Sequence, residues 1–315
     1  MVRTLCTLAL IVFTAAVGAA QHRNDSGPGI LLLAHGGRAE WNEAVQTIAH
    51  KLDANAPVEV AFGMASRSTI QAAVDGLAAR GASEIVAIPL FVSSHSSVIT
   101  STEYLLGLRA EAPKELAIYA RMDHSHGGHG HAGHHAPAEA DSDATTPVRT
   151  SLKIRMTGAL NRHPLVADIL LDRARSISRN PSEEVVVLIA HGPVAEEENR
   201  RWLEDMKALA DRIAARERFH RVDFLTVRDD APEPIRSQAT AELRALVERA
   251  IGEGKRVLAT PLLISFGGIE RGVRKRLEGL EHAMPAQALL PDDRLADWVL
   301  DRFHAAIGND ARAGQ

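Results

Sequence analysis

The sequence predicts an α/β protein made of two tandem copies of one domain, each a mainly parallel sheet with helices on both faces. Three observations predict it. Short, continuously apolar runs alternate with amphipathic stretches along the whole chain. The run "LLLAHGG" (31–37) returns as "VLIAHGP" (187–193) about half a chain later. Between the copies lies a segment with almost no apolar side chains.

The elements follow in order. "GILLLAH" (29–35) is uniformly apolar, the mark of a strand buried on both faces. "EWNEAVQTIAHKLDAN" (40–55) places Trp41, Val45, Ile48 and Leu52 on one helical face. "VEVAFG" (58–63) reads as the second strand. "STIQAAVDGLAARGA" (68–82) reads as a helix, with Ser68 as N-cap and Gly81 as its stop. "EIVAIPLFV" (84–92) is a third strand, "TSTEYLLGLRAEAP" (100–113) a third helix and "LAIYARM" (116–122) a fourth strand.

The second copy reads as helix (163–178), strand (184–191), helix (197–217), strand (221–228), helix (234–254), strand (256–265) and helix (268–280). "AQALLP" (286–291) is a short strand, and the final helix spans 292–307. The divisions expected are a signal at 1–20, a first domain at 21–122, a linker at 123–150 and a second domain at 151–315.

Residues 1–20 have Arg3, an apolar run from Leu5 to Val17, and a small-residue exit, the layout of an export signal. The apolar run is short for a membrane span, although an uncleaved anchor is the alternative. Cys6 is the only cysteine, so a chain cleaved near Ala20 has no thiol. The expected location is periplasmic or secreted, with no membrane association after cleavage. A formal charge of −4 and 4% aromatic residues argue against a nucleic-acid partner. No P-loop, G-x-G-x-x-G or nucleophile elbow occurs.

Ligands of open parallel sheets bind at the carboxyl ends of the strands. His35 ends the first strand beside two glycines, and His95 follows the third strand in "IPLFVSSHSS". If those strands are neighbours, two imidazoles meet at one edge, a ligand pair for a divalent ion such as Co, Ni, Fe or Zn. Two hydrogen-bonded loop histidines are the plainer reading. Ser93, Ser94, Ser96 and Ser97 are expected to keep that loop polar and wet. In the linker, His124, His126, His129, His131, His134 and His135 stand among Gly and Ala, a multivalent metal-binding tract or a solvated spacer.

"LLLAHGGRAEWN", "IPLFVSSHSS" and the repeated "LIAHG" resemble the CbiX-type sirohydrochlorin chelatases. The resemblance covers most of 29–122 and, more loosely, 155–310. It implies a tandem chelatase-like fold and insertion of cobalt or a related divalent metal into a tetrapyrrole such as sirohydrochlorin. It makes His35 and His95 the metal-binding, catalytic pair. The second copy keeps His191 but has Gly267 where His95 aligns, so the working site is expected in the first half, with the second half as a lid. The family's carboxylate after the second strand is missing from "AFGMASRST", which leaves Glu103 as the nearest acid.

Arg271 and Arg274, with Lys275 and Arg276, are candidates to receive the carboxylates of the macrocycle, or form a solvated basic helix face. Asn42 and Asn199 are expected to brace loops. A non-catalytic periplasmic protein that buffers divalent metal is the alternative function.

Overall fold

The computed structural model describes residues 27–126 and 143–313, the side chains of 122–126 and 309–313 excepted. The export signal expected at 1–20 lies outside the described residues. No helix among them is long and apolar enough to cross a membrane.

The first sheet contains β1 (Gly29–Ala34), β2 (Val58–Phe62), β3 (Glu84–Leu90) and β4 (Lys153–Met156), all parallel, in the order β2-β1-β3-β4. The second contains β5 (Glu184–Ala190), β6 (Arg221–Thr226) and β7 (Arg256–Leu262), parallel in the order β6-β5-β7. Each first strand is therefore central, and β1 and β3 are neighbours, with Ala34 beside Leu90.

Side-chain alternation divides the strands between layers. On β1, Leu31 and Leu33 face outward, under α2 (Arg67–Ala79), α3 (Ser97–Leu105) and α4 (Leu116–His126). On β5, Val185, Val187 and Ile189 face outward, under α7 (Ile235–Gly252) and α8 (Gly268–Arg276). The inward residues, Ile30 and Leu32 from one sheet and Val186 and Leu188 from the other, belong to a single core. Four helices fill it: α1 (Ala39–Leu52), α5 (Pro164–Arg175), α6 (Glu196–Arg216) and α9 (Arg294–Ala313). α9, from the chain's end, packs on α1 and β3, whereas α5 packs on α6 and β7. The halves thus exchange helices.

Several expected elements differ. Residues 116–122 form the first part of α4, not a strand. Leu116 and Ala120 are buried while Ile118 is exposed, a helical spacing that two-residue alternation would reverse. β4 takes the place of that strand, so the boundary drawn at 150 falls before a strand of the first sheet. The linker expected at 123–150 shortens at both ends. Residues 123–126 continue α4, and Val148 N donates to Leu105 O while Gln71 bonds both N and O of Arg149.

Residues 286–291 form no strand. Leu289 and Leu290 donate to Leu263 and Ile264 beyond the end of β7, and the one bridge in this region is at Ala283. Ser66, not Ser68, caps α2 by accepting from Thr69 N, and Gly81 follows the helix with φ of 79° as expected. α3 stops at Leu105, before Gly107 at φ 73°.

One core shared by both sheets predicts one unfolding transition. Trp298, on α9, is 0% exposed within it. Trp298→Ala should cost about 3–5 kcal/mol in urea unfolding, with circular dichroism and fluorescence still coincident. Two separated transitions in the unsubstituted protein would contradict the shared core.

Candidate functional site

Both central strands end in the same device. His35 leaves β1 and His191 leaves β5, each followed by a glycine in the left-handed region, Gly36 at φ 73° and Gly192 at φ 75°. The chain turns there against the neighbouring strand: a Cβ on Gly192 would stand 2.5 Å from that of Thr226. The asparagines brace these turns as expected. Asn42 Oδ1 accepts from Gly37 N at 2.9 Å, and Asn199 Oδ1 accepts from Thr226 Oγ1 at 2.6 Å.

His35 is exposed, and its ring stacks on Trp41 with centroids 5.4 Å apart. Its Nδ1 lies 2.8 Å from Gly36 O. A carbonyl only accepts, so Nδ1 is the donor and Nε2 keeps a free lone pair, as metal ligation requires.

His95 stands five residues beyond β3, on a loop bound to the second half: Trp202 Nε1 of α6 donates to His95 O at 2.7 Å. The serines there are fasteners rather than a wet rim. Ser93 is 3% exposed and accepts from His95 N; Ser94 Oγ accepts from Ala159 N and Asn161; Ser97 bonds the Tyr119 hydroxyl. Burial, partly offset by nearby His95 and Arg162, pushes the carboxyl of Asp205, one turn along α6 from Trp202, upward. His35 and His95 follow paired strands, but no contact among the described residues joins their rings. Glu103 lies on α3.

The second half holds a group that the sequence reading missed. His191 Nε2 lies 3.2 Å from Asp230 Oδ2, on the loop after β6. The contact is at ion-pair distance without good hydrogen-bond alignment, and Nε2, shielded from solvent, has no other partner. His191 lowers the Asp230 carboxyl below its ordinary range against the effect of burial, with a smaller contribution from His35. Asp230 was legible in principle: it occupies, in the second copy, the same exit loop that lacks an acid in the first. Arg228, 6% exposed, fixes the adjoining loop by donating to Val194 O and Glu196.

Two cavities flank these groups. One of about 250 Å³ lies between the halves, lined by Arg38, Trp41 and Ala44 from the first and Ser265, Phe266 and Gln287 from the second. The other, about 580 Å³, belongs to the second half, and its cations are Arg236, Lys275 and Arg276. Arg271 and Arg274 do not line it; Arg274 is tied to Glu270 along the exposed side of α8. Gly267 caps α8 with open space where a side chain would stand.

Of the linker histidines, His124 and His126 fall in the last turn of α4, and His129, His131, His134 and His135 lie outside the described residues. Among the described residues no group of three or more His, Cys, Asp and Glu stands at metal-binding spacing.

Residues 29–177 match the CbiX family model. No curated protein matches the chain. Among solved structures, SirB from Bacillus subtilis with Fe3+ is 14% identical, with a TM-score of 0.59, over 90% of this chain and 97% of that one. SirB from Bacillus subtilis subspecies spizizenii, in complex with cobalt, is 13% identical, with a TM-score of 0.51, over 88% and 93%. The multi-domain protein DR2241 from Deinococcus radiodurans, described as structurally similar to chelatases, is 16% identical, with a TM-score of 0.50. That match spans 88% of this chain and 55% of DR2241. At these identities the likeness is one of fold.

The strand-end turn makes a sharp prediction. Gly192→Ala should cost about 2–4 kcal/mol, from backbone strain and the clash with Thr226. Gly254→Ala, at φ 72° with nothing within 4 Å, should cost only about 1 kcal/mol. Equal losses in denaturant unfolding would refute the packing argument.

Proposed function

We propose that this chain, whose residues 29–177 match the CbiX family model, is a metallochelatase that inserts a divalent metal into a tetrapyrrole such as sirohydrochlorin. The observation that carries the reading is the histidine-bearing turn shared by both central strand ends, His35 after β1 and His191, beside Asp230, after β5. Open sheets of this class bind ligands at that edge.

In this reading the metal is a substrate. His35, with Nε2 free, receives it, and His95 is its partner on the neighbouring strand exit. Trp41 offers an aromatic face beside His35. The cavity between the halves is below the roughly 300–1,000 Å³ of enclosed small-molecule sites, so the macrocycle lies across the open cleft. Of the cations lining the cavity of the second half, Glu233 and Asp229 already hold Arg236 and Arg276, so Lys275 is better placed than Arg271 and Arg274 to meet the macrocycle's carboxylates. The histidine tract supplies metal when it is scarce, outside the cytoplasm if residues 1–20 direct export.

The direct test incubates the purified protein with Co2+ and sirohydrochlorin and follows the absorbance change of insertion. The protein should exceed the spontaneous rate, and His35→Ala should lose at least about tenfold. Tight Co2+ binding with no insertion would instead identify a metal-buffering protein on the same fold. Deleting residues 124–135 should reduce the number of Co2+ ions bound while leaving the insertion rate at saturating Co2+ within about twofold. A large loss of rate at saturating metal would overturn the supply role.

A further inference from the structure

Inserting a divalent ion into a free-base macrocycle displaces two pyrrole protons, so the site needs a proton acceptor. The first half offers no acid after β2, where Gly63, Met64 and Ala65 occupy the turn. The corresponding turn after β6 carries Asp229 and Asp230. We infer that the His191–Asp230 pair of the second half is the proton acceptor for a metal received by His35 of the first. The inference rests on the chelatase reading above.

The geometry suits that task. Nε2 of His191 is shielded from solvent and lies 3.2 Å from Asp230 Oδ2, which places the carboxylate beside the ring edge. The His191 side chain is 31% exposed, and that accessible part lies away from Nε2. The Asp230 side chain is 71% exposed, which opens a route from the pair to water. Asp229 is not a second acceptor, because Arg276 already engages it.

The pair is also held in place. Gly192 and the Asn199–Thr226 hydrogen bond fix the turn that carries His191, and buried Arg228 fixes the loop beside it. The charged and titratable groups whose fields meet around Asp230 are His35, Tyr119 and His191; Arg228 stands two residues away.

In the step, a pyrrole N–H bond breaks and its proton moves to Nδ1 of His191. The electron pair stays on the pyrrole nitrogen and forms the bond to the metal. The Asp230 carboxylate stabilises the imidazolium, which then releases the proton to water. A second round removes the second proton. The metal keeps its oxidation state, and no further reactant is required. This assignment also explains a second half that keeps His191 while Gly267 replaces a metal-binding histidine: it supplies a base, not a second metal site.

The test compares Asp230→Asn, Asp230→Glu and His191→Ala with the unsubstituted full chain. It measures kcat for Co2+ insertion into sirohydrochlorin and Co2+ affinity by calorimetry. Asp230→Asn should lower kcat by about 100-fold or more and leave Co2+ affinity within about twofold. Asp230→Glu should restore part of kcat, and its unfolding curve checks that the fold is kept. Loss of Co2+ affinity in parallel with kcat would make the pair a metal ligand and overturn the inference, as would an unchanged kcat. Failure of the unsubstituted protein to insert metal would remove the chelatase reading and this role together, whereas insertion that is untouched by the substitutions would remove this role alone.

Discussion

Parallel strands with apolar side chains on both faces must be covered on both faces. In this chain the inner coverings are not private to each sheet. Ile30, Leu32, Val186 and Leu188 point into one core, and α5 and α9 cross over to close it. Everything about the candidate site depends on this arrangement. The exchange fixes the two sheets as one body, and each third-strand exit then meets the first helix of the other half. Trp202 bonds His95 O across that boundary, and Phe266 and Trp41 line a cavity at its counterpart.

A duplicated scaffold is chemically asymmetric at two of its three strand exits. The strand-end histidine and its glycine persist in both halves, because the turn needs a left-handed residue against the neighbouring strand. At the third-strand exit one half has His95 and the other Gly267. At the second-strand exit one half has Met64 and the other Asp230. In the proposed reading the first half supplies the metal ligands and the second the base, and the shared core is what holds the two halves together.

Much of this was legible in the sequence because burial writes itself there. The uninterrupted apolar runs of β1 and β5 gave the central strands, and the i, i+3, i+7 pattern of Val45, Ile48 and Leu52 gave α1. His35, His95 and the bracing asparagines stand where periodicity and turn chemistry put them. Short apolar segments misled. Residues 116–122 have too few positions to separate alternation from helical spacing, and 286–291 lie between prolines that limit ladder bonding. β4 is only four residues long, and none of its residues is buried, so no apolar run marks it; it is a strand because it pairs with β3. Asp230 was missed because its pairing with His191 joins two loops about forty residues apart, after β5 and after β6, which no local pattern encodes. The tether of residues 143–150 is likewise made by distant partners, Leu105 and Gln71.

The central claim is that metal is received at His35 in a cleft to which both halves contribute. Anomalous diffraction at the cobalt edge, from crystals of the chain lacking residues 124–135 grown with Co2+, tests it most directly. The account predicts a peak within ligand distance of His35 Nε2, in the space faced by the His191–Asp230 pair and clear of direct bonds to that pair. A peak bonded to Asp230 and His191 with none at His35 would contradict it.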